Sequence, residues 1–205
     1  MPARSRPAIK PWSGVVYRAT SYDVPLWVNP NRRSGRWNVA GAECTQYMSL
    51  DANAPLAEML RHEDLRTDEA ASHYRTTLWQ IRVDEVWTVD YSTFEKAQGA
   101  GFPPEALVED DHERCQAEAK RLVEHGVGAL LSPSAALVGS INMTIFGPRV
   151  HIPWTSQATL ASAMAAQAIS TGPPPSGLAA RVRFFGEPHS ALASYREAVR
   201  RTAEG

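Results

Sequence analysis

The stretch TQYMSLDANAPLAEMLRHEDLR (Thr45–Arg66) decides the fold class. Its first six residues are rich in β-formers and read as a strand. The remainder, from Asn53 on, reads as a helix, with Pro55 near the first turn and Leu56, Met59 and Leu60 on one face. Strand followed at once by amphipathic helix predicts a mixed α/β protein.

The same alternation extends on both sides. Upstream, VVYRA (Val15–Ala19) reads as a strand leading into a polar loop with Pro25, Pro30 and Asn31. Downstream, TTLWQIRV and VWTVDY are two β-rich runs separated by Asp84-Glu85, the pattern of a hairpin or of two consecutive strands. A helix from about His112 to His125, closed by Gly126, precedes the strands GALLS, LVGSINMTIF and RVHIP. The expected fold is therefore α/β (α+β), a mixed sheet core with flanking helices, over residues 15–154. Beyond Trp154 the alanine-rich run from Ser156 to about Ser170 reads as helix, TGPPPSG as a turn, RVRFF as a further strand and EPHSALASYREAVRR as a last helix. Residues 155–205 are thus expected as a helical appendage packed on the same domain.

Composition narrows the function. A chain of 205 residues with 43% apolar and 21% charged residues has enough core to fold without staples. A net charge of −1 offers no basic field for nucleic acid or for an anionic membrane. Cys44 and Cys115 stand far apart, the six histidines are scattered, and HExxH is absent, so neither a disulfide framework nor a metal site is expected. The opening MPARSRPAIKPWSG is basic without an apolar core, which predicts no secretory signal and a cytoplasmic location.

Six residues stand out, each with an ordinary alternative. Arg18 ends the first strand and fits an edge arginine in water. Arg36 follows Gly35, which permits a turn or a close approach, and its guanidinium suits a phosphate; neighbouring Trp37 reads as core packing. Tyr47 fits a half-buried strand residue or an aromatic wall for a flat ring. Glu58 falls opposite Leu56, Met59 and Leu60, which fits a solvated glutamate unless that side of the helix lines a site. Ser134 lies just past a strand, outside any GxSxG context, where a turn residue is the ordinary reading. Asn142 interrupts an apolar strand, so if buried it must find hydrogen-bond partners. The acidic clusters RHEDLRTDE and VEDDHER read as solvated faces.

Taken in order, YRAT with Arg18, GRWNVAG with Arg36, QYMS with Tyr47, APLAEML with Glu58, LLSPSA with Ser134 and INMTIFGP with Asn142 resemble the RES domain family, the toxin half of RES–Xre toxin–antitoxin pairs. The resemblance implies an ADP-ribosyltransferase-like fold and an enzyme acting on NAD. It implies cleavage of the nicotinamide–ribose bond, with water or inorganic phosphate as acceptor and no metal. On this resemblance Glu58, Arg36 and Tyr47 are the expected catalytic group, and Arg18, Arg36, Tyr47, Ser134 and Asn142 the NAD-binding one. An Xre-type antitoxin is the implied partner, in a homodimer or hetero-oligomer, with no direct nucleic-acid or membrane contact. Two other readings stay open: ADP-ribosyl transfer to a macromolecule, and an inactive RES-like binding module. The second draws on Ala136, which stands where the family commonly carries arginine.

Overall fold

The computed structural model describes residues 8–204. The expectation that the opening residues form no secretory signal therefore lies partly outside the described residues. Seven strands form the sheet: β1 (Ile9–Thr20), β2 (Thr45–Ser49), β3 (Thr76–Asp90), β4 (Ala129–Pro133), β5 (Ile141–Phe146), β6 (Val150–Pro153) and β7 (Ala163–Gly172). Their order is β1-β2-β5-β4-β3-β7-β6, and β1 also pairs with β3, so β1, β2, β5, β4 and β3 close into a ring. The pairs β3–β4 and β6–β7 are parallel, and the others are antiparallel. The helices are α1 (Ala54–His62), α2 (Asp68–Ser72), α3 (Phe94–Gly99), α4 (Glu113–Glu124) and α5 (Ser190–Glu204). The fold class is the mixed sheet with flanking helices that the sequence implies.

Strand alternation sorts the core by face. One face carries Val16, Met48, Ile81, Val83, Ala129, Leu131, Met143 and Ile145, closed by Leu26 and by Met164 and Ala166 of β7. The other face is covered by helices and splits into two apolar clusters. Val89, Tyr91, Leu130 and Phe146 pack with residues of α3, α4 and α5. Leu78 packs with Ala54, Leu56, Ala57 and Leu60 of α1 and with Leu178, Val182 and Phe184.

Three expectations need correction. TTLWQIRV and VWTVDY are not separate strands. They are one 15-residue strand, β3, because β1 runs beside it from Ile9↔Val89 to Thr20↔Thr77. The two polar residues between the runs are absorbed where the register shifts between Trp12 and Gly14, so that Ser13 faces both Asp84 and Glu85. Ser13 Oγ donates to the Asp84 carbonyl there.

The alanine-rich segment, expected as helix from Ser156 to about Ser170, is instead strand β7 over Ala163–Gly172. Alanine favours helix in isolation, yet β3 offers an open edge and β7 fills it, from Thr76↔Gly172 to Arg82↔Ala165. Small side chains also let Ala165 and Ala166 sit buried against the sheet. RVRFF forms no strand; a 3-10 turn at Ala179–Arg181 leads into a loop that buries Phe184.

Candidate functional site

Between the two helix-side apolar clusters lies a polar seam, and Glu58 is at its centre. Helix α1 buries Ala54, Ala57 and Arg61 as well as Leu56 and Leu60. That stripe is broader than Leu56, Met59 and Leu60 suggest, and it turns half-buried Glu58 toward the sheet. Glu58 Oε1 accepts two hydrogen bonds, from Ser134 Oγ at 2.8 Å and from Asn142 Nδ2 at 2.8 Å. Among the described residues its second oxygen accepts none.

Each donor is itself held. Asn142 Oδ1 accepts from Ser49 Oγ at 2.6 Å, which fixes which end of the amide faces Glu58. Ser134 is fully buried, and its Oγ accepts from the backbone N–H of Ala136 at 3.2 Å and of Leu137 at 3.0 Å. The hydroxyl proton is thereby committed to Glu58. A buried His189 Nε2 lies 3.2 Å from the Ser134 carbonyl and steadies the same turn. Ser134 is a turn residue, as the bland reading has it, and also a donor to the carboxylate.

Tyr47 shares the seam's sheet face, two residues before Ser49 on β2. Its phenol donates to Asn38 Oδ1 at 2.8 Å and accepts from the Trp37 N–H at 2.9 Å. Burial holds it well above the ordinary tyrosine range, so it is protonated. This explains Gly35. A Cβ there would stand 2.7 Å from the Tyr47 hydroxyl and 2.8 Å from Asn38 Oδ1, so close approach forbids a side chain. Trp37 is core, 3% exposed and tilted against Phe102. Half-buried Arg36 donates from Nη1 to the carbonyls of Ala106 at 2.9 Å and Glu109 at 2.7 Å.

Arg18 is not brought to this group. Tyr17 pairs with Ser49, so Tyr17 points to the Glu58 side of the sheet and Arg18 to the other. Arg18 is 3% exposed, lies 3.6 Å over the Trp27 ring, and donates to Gln46 Oε1 at 2.6 Å. Burial lowers its pKa to about 9, still charged at neutral pH. The candidate residues thus divide: Glu58, Ser134 and Asn142 are in contact, Tyr47 and Arg36 stand on the same side, and Arg18 faces away.

Several residues of the seam escaped the sequence reading. Ser49 and Tyr17 were accessible through strand alternation. Arg61 and Asp110 lie inside the charge clusters read as solvated, and burial there has no local signal. Arg61 is 2% exposed, and its Nη2 donates to Asp110 Oδ1 at 2.5 Å. His112 stands beside this group as a neutral ring; burial, with Arg36, Arg61 and His62 nearby, lowers its pKa to about 4. Burial pushes the Cys115 thiol up to about 11, which rules it out as a thiolate at neutral pH. Among the described residues no group of three His, Cys, Asp or Glu side chains is placed to hold a metal ion, and no helix is long and apolar enough to cross a membrane. A separate cavity of about 530 Å³, lined by Lys10, Trp12, Asp90 and Lys96 among others, includes none of the Glu58 cluster.

No curated protein matches the sequence. Among solved structures, the fold is similar to a chain of the M. tuberculosis MbcT–MbcA toxin–antitoxin complex, with a TM-score of 0.62 and 21% identity over 85% of this chain and 91% of that one. At that identity the likeness is one of fold. The family model described as RES domain matches residues 12–162, well over half of the chain, from within β1 through β6, and so includes Glu58, Ser134 and Asn142. The chain belongs to the RES domain family.

Proposed function

We propose that this protein is the toxin of a toxin–antitoxin pair and that it consumes NAD by cleaving the nicotinamide–ribose bond, with Glu58 as the working carboxylate. The observation that carries this reading is the hold on Glu58: Ser134 and Asn142 both donate to Oε1 at 2.8 Å, which leaves Oε2 for a ligand. Family membership and the toxin–antitoxin fold neighbour support it.

The chemistry asks little of an acid. The C1′–N bond breaks with its electron pair passing to the pyridinium nitrogen, so nicotinamide leaves neutral. The ribose develops oxocarbenium character, which a fixed carboxylate stabilises. In this reading Glu58 Oε2 accepts from a ribose hydroxyl, and the acceptor's oxygen bonds to C1′; an acceptor water gives its proton to solvent, and a phosphate attacks through an oxygen that is already anionic. Ser134 and Asn142 orient Glu58 through Oε1 and leave Oε2 for the ribose. Tyr47 forms the wall of the site, and Arg36, with donors beyond the Nη1 that binds the Ala106 and Glu109 carbonyls, faces the pyrophosphate. Arg18 has no part in the chemistry. NAD is the substrate and no metal is required. A cytoplasmic location and a cognate antitoxin of the Xre type follow from the same reading, since NAD consumption would otherwise harm the host cell.

The test is nicotinamide release from NAD by purified protein, with and without inorganic phosphate. Release without phosphate names water as the acceptor, and dependence on phosphate names a phosphorylase. Labelled ADP-ribose appearing on a macromolecule would shift the reading to a transferase. Folded protein that releases no nicotinamide, even with cell extract supplying acceptors, would overturn it.

A further inference from the structure

Arg61 follows Glu58 by three residues on α1, a spacing that sets two side chains side by side and ordinarily lets them pair. Among the described residues they form no ion pair. Arg61 is turned away instead: Nη1 donates to the Ala135 carbonyl at 2.5 Å, Nη2 donates to Asp110 Oδ1 at 2.5 Å, and the Phe185 ring lies 4.2 Å from the guanidinium. Asp110 is held in turn from the far side. Its Oδ1 also accepts from Arg183 Nη1 at 3.1 Å, and its Oδ2 accepts from the Gly186 N–H at 2.7 Å.

Arg183 and Gly186 lie beyond residue 162, outside the stretch that matches the family. Arg183 also ties two segments of the site together. Its Nη1 donates to the Val108 carbonyl at 2.9 Å, and its backbone N–H donates to the Ala136 carbonyl at 2.8 Å, two residues past Ser134.

We propose that Asp110, fixed by the turn at residues 183–186, is a positioning residue that withholds Arg61 from Glu58. The inference rests on the reading of Glu58 as the working carboxylate. A guanidinium on Glu58 would form charge-assisted bonds that compete with Ser134 and Asn142 and would neutralise the charge the reaction needs. Without the Asp110 carboxylate, Arg61 is a buried cation lacking its counter-charge, and the carboxylate one turn back on its own helix becomes its partner.

The test combines activity with structure. In Asp110→Asn, nicotinamide release should fall at least about tenfold in kcat while KM for NAD moves less than about threefold, because substrate contacts are kept. The double variant Asp110→Asn/Arg61→Gln should recover most of that loss, which a merely structural Asp110 would not permit. The crystal structure of Asp110→Asn should place an Arg61 Nη within 4 Å of a Glu58 carboxylate oxygen; Arg61 still on Ala135 and clear of Glu58 would overturn the proposal. That readout stands even if the wild type proves not to cleave NAD, so failure of the proposal and failure of the functional reading are separable. If Asp110→Asn does not fold, ¹⁵N NMR of the Arg61 guanidinium decides between wild type and Glu58→Gln. A trans-hydrogen-bond coupling between Arg61 Nη and the Glu58 carboxylate in the wild type, lost in Glu58→Gln, overturns the proposal; its absence supports it.

Discussion

On one face of the sheet Arg18 is sealed between Trp27 and Gln46; on the other, Arg61 and Arg183 hold Asp110, and half-buried Glu58 is held by Ser134 and Asn142. The first face is lined with Val16, Met48, Met143 and Ile145, and the Arg18 guanidinium there is stacked and hydrogen bonded by neutral neighbours. The second face breaks its apolar packing into two clusters and fills the gap with Ser49, Asn142, Ser134, Glu58 and Asp110. On the sealed face burial has spent the arginine's charge on structure. On the open one the carboxylate keeps a free oxygen, which is what catalysis of NAD cleavage asks for.

The sharpest way to break this contrast is Glu58→Gln. The amide keeps an oxygen for Ser134 and Asn142, so the fold should hold, while loss of the negative charge should cut nicotinamide release on the order of 10²–10³-fold. Steady-state kinetics alongside thermal unfolding check it. Full turnover in the variant would mean the seam is only structural, like the Arg18 site.

Arg18→Ala sets the opposite test. It opens a cavity beside Trp27 and leaves Gln46 Oε1 without its donor, so stability should fall by about 2–4 kcal/mol. Turnover per folded molecule should stay within about threefold of wild type, since no contact in the proposed chemistry is lost. Urea denaturation and kcat on the same samples separate the two effects. Unchanged stability with collapsed turnover would place Arg18 in the reaction and erase the distinction between faces.

What was legible in the sequence follows the same division. Period-two alternation in Val15–Ala19 and Thr45–Ser49 carries the strands, and together with Tyr17↔Ser49 it also carries which side chains share a face. Pro55 and the Leu56/Leu60 spacing carry α1. Two misreadings have one cause, namely pairing partners distant in the chain. Asp84-Glu85 looks like a turn until β1 is laid beside it, and Ala163–Gly172 looks helical until the open edge of β3 is known. In the site, residue types and order pointed to Glu58, Ser134 and Asn142, but no spacing could show that three segments meet at one oxygen. Asp110 was hidden for a further reason. In a run as acidic as VEDDHER, the one carboxylate that pairs with a buried arginine looks like its solvated neighbours.

The smallest effect concerns the cationic excess on the seam side, and His112 reports it. The ring precedes α4 and its Nε2 is buried with no hydrogen-bond partner. Burial first, then Arg36, Arg61 and His62, lower its pKa from 6.5 to about 4, against the opposing pull of Asp110. The native ring thus refuses a proton that the unfolded chain accepts. Its contribution to stability is fully present above about pH 6.5 and is lost as pH falls through about 4. Because the ring is only partly buried, solvent screening reduces the effect to about 1–2 kcal/mol. Urea denaturation at pH 7 and pH 4.5 should show wild type losing more stability than His112→Phe by up to that amount. Identical pH dependence in the two proteins would mean that the native ring takes up a proton as readily as the unfolded one, against both its burial and its cationic neighbours.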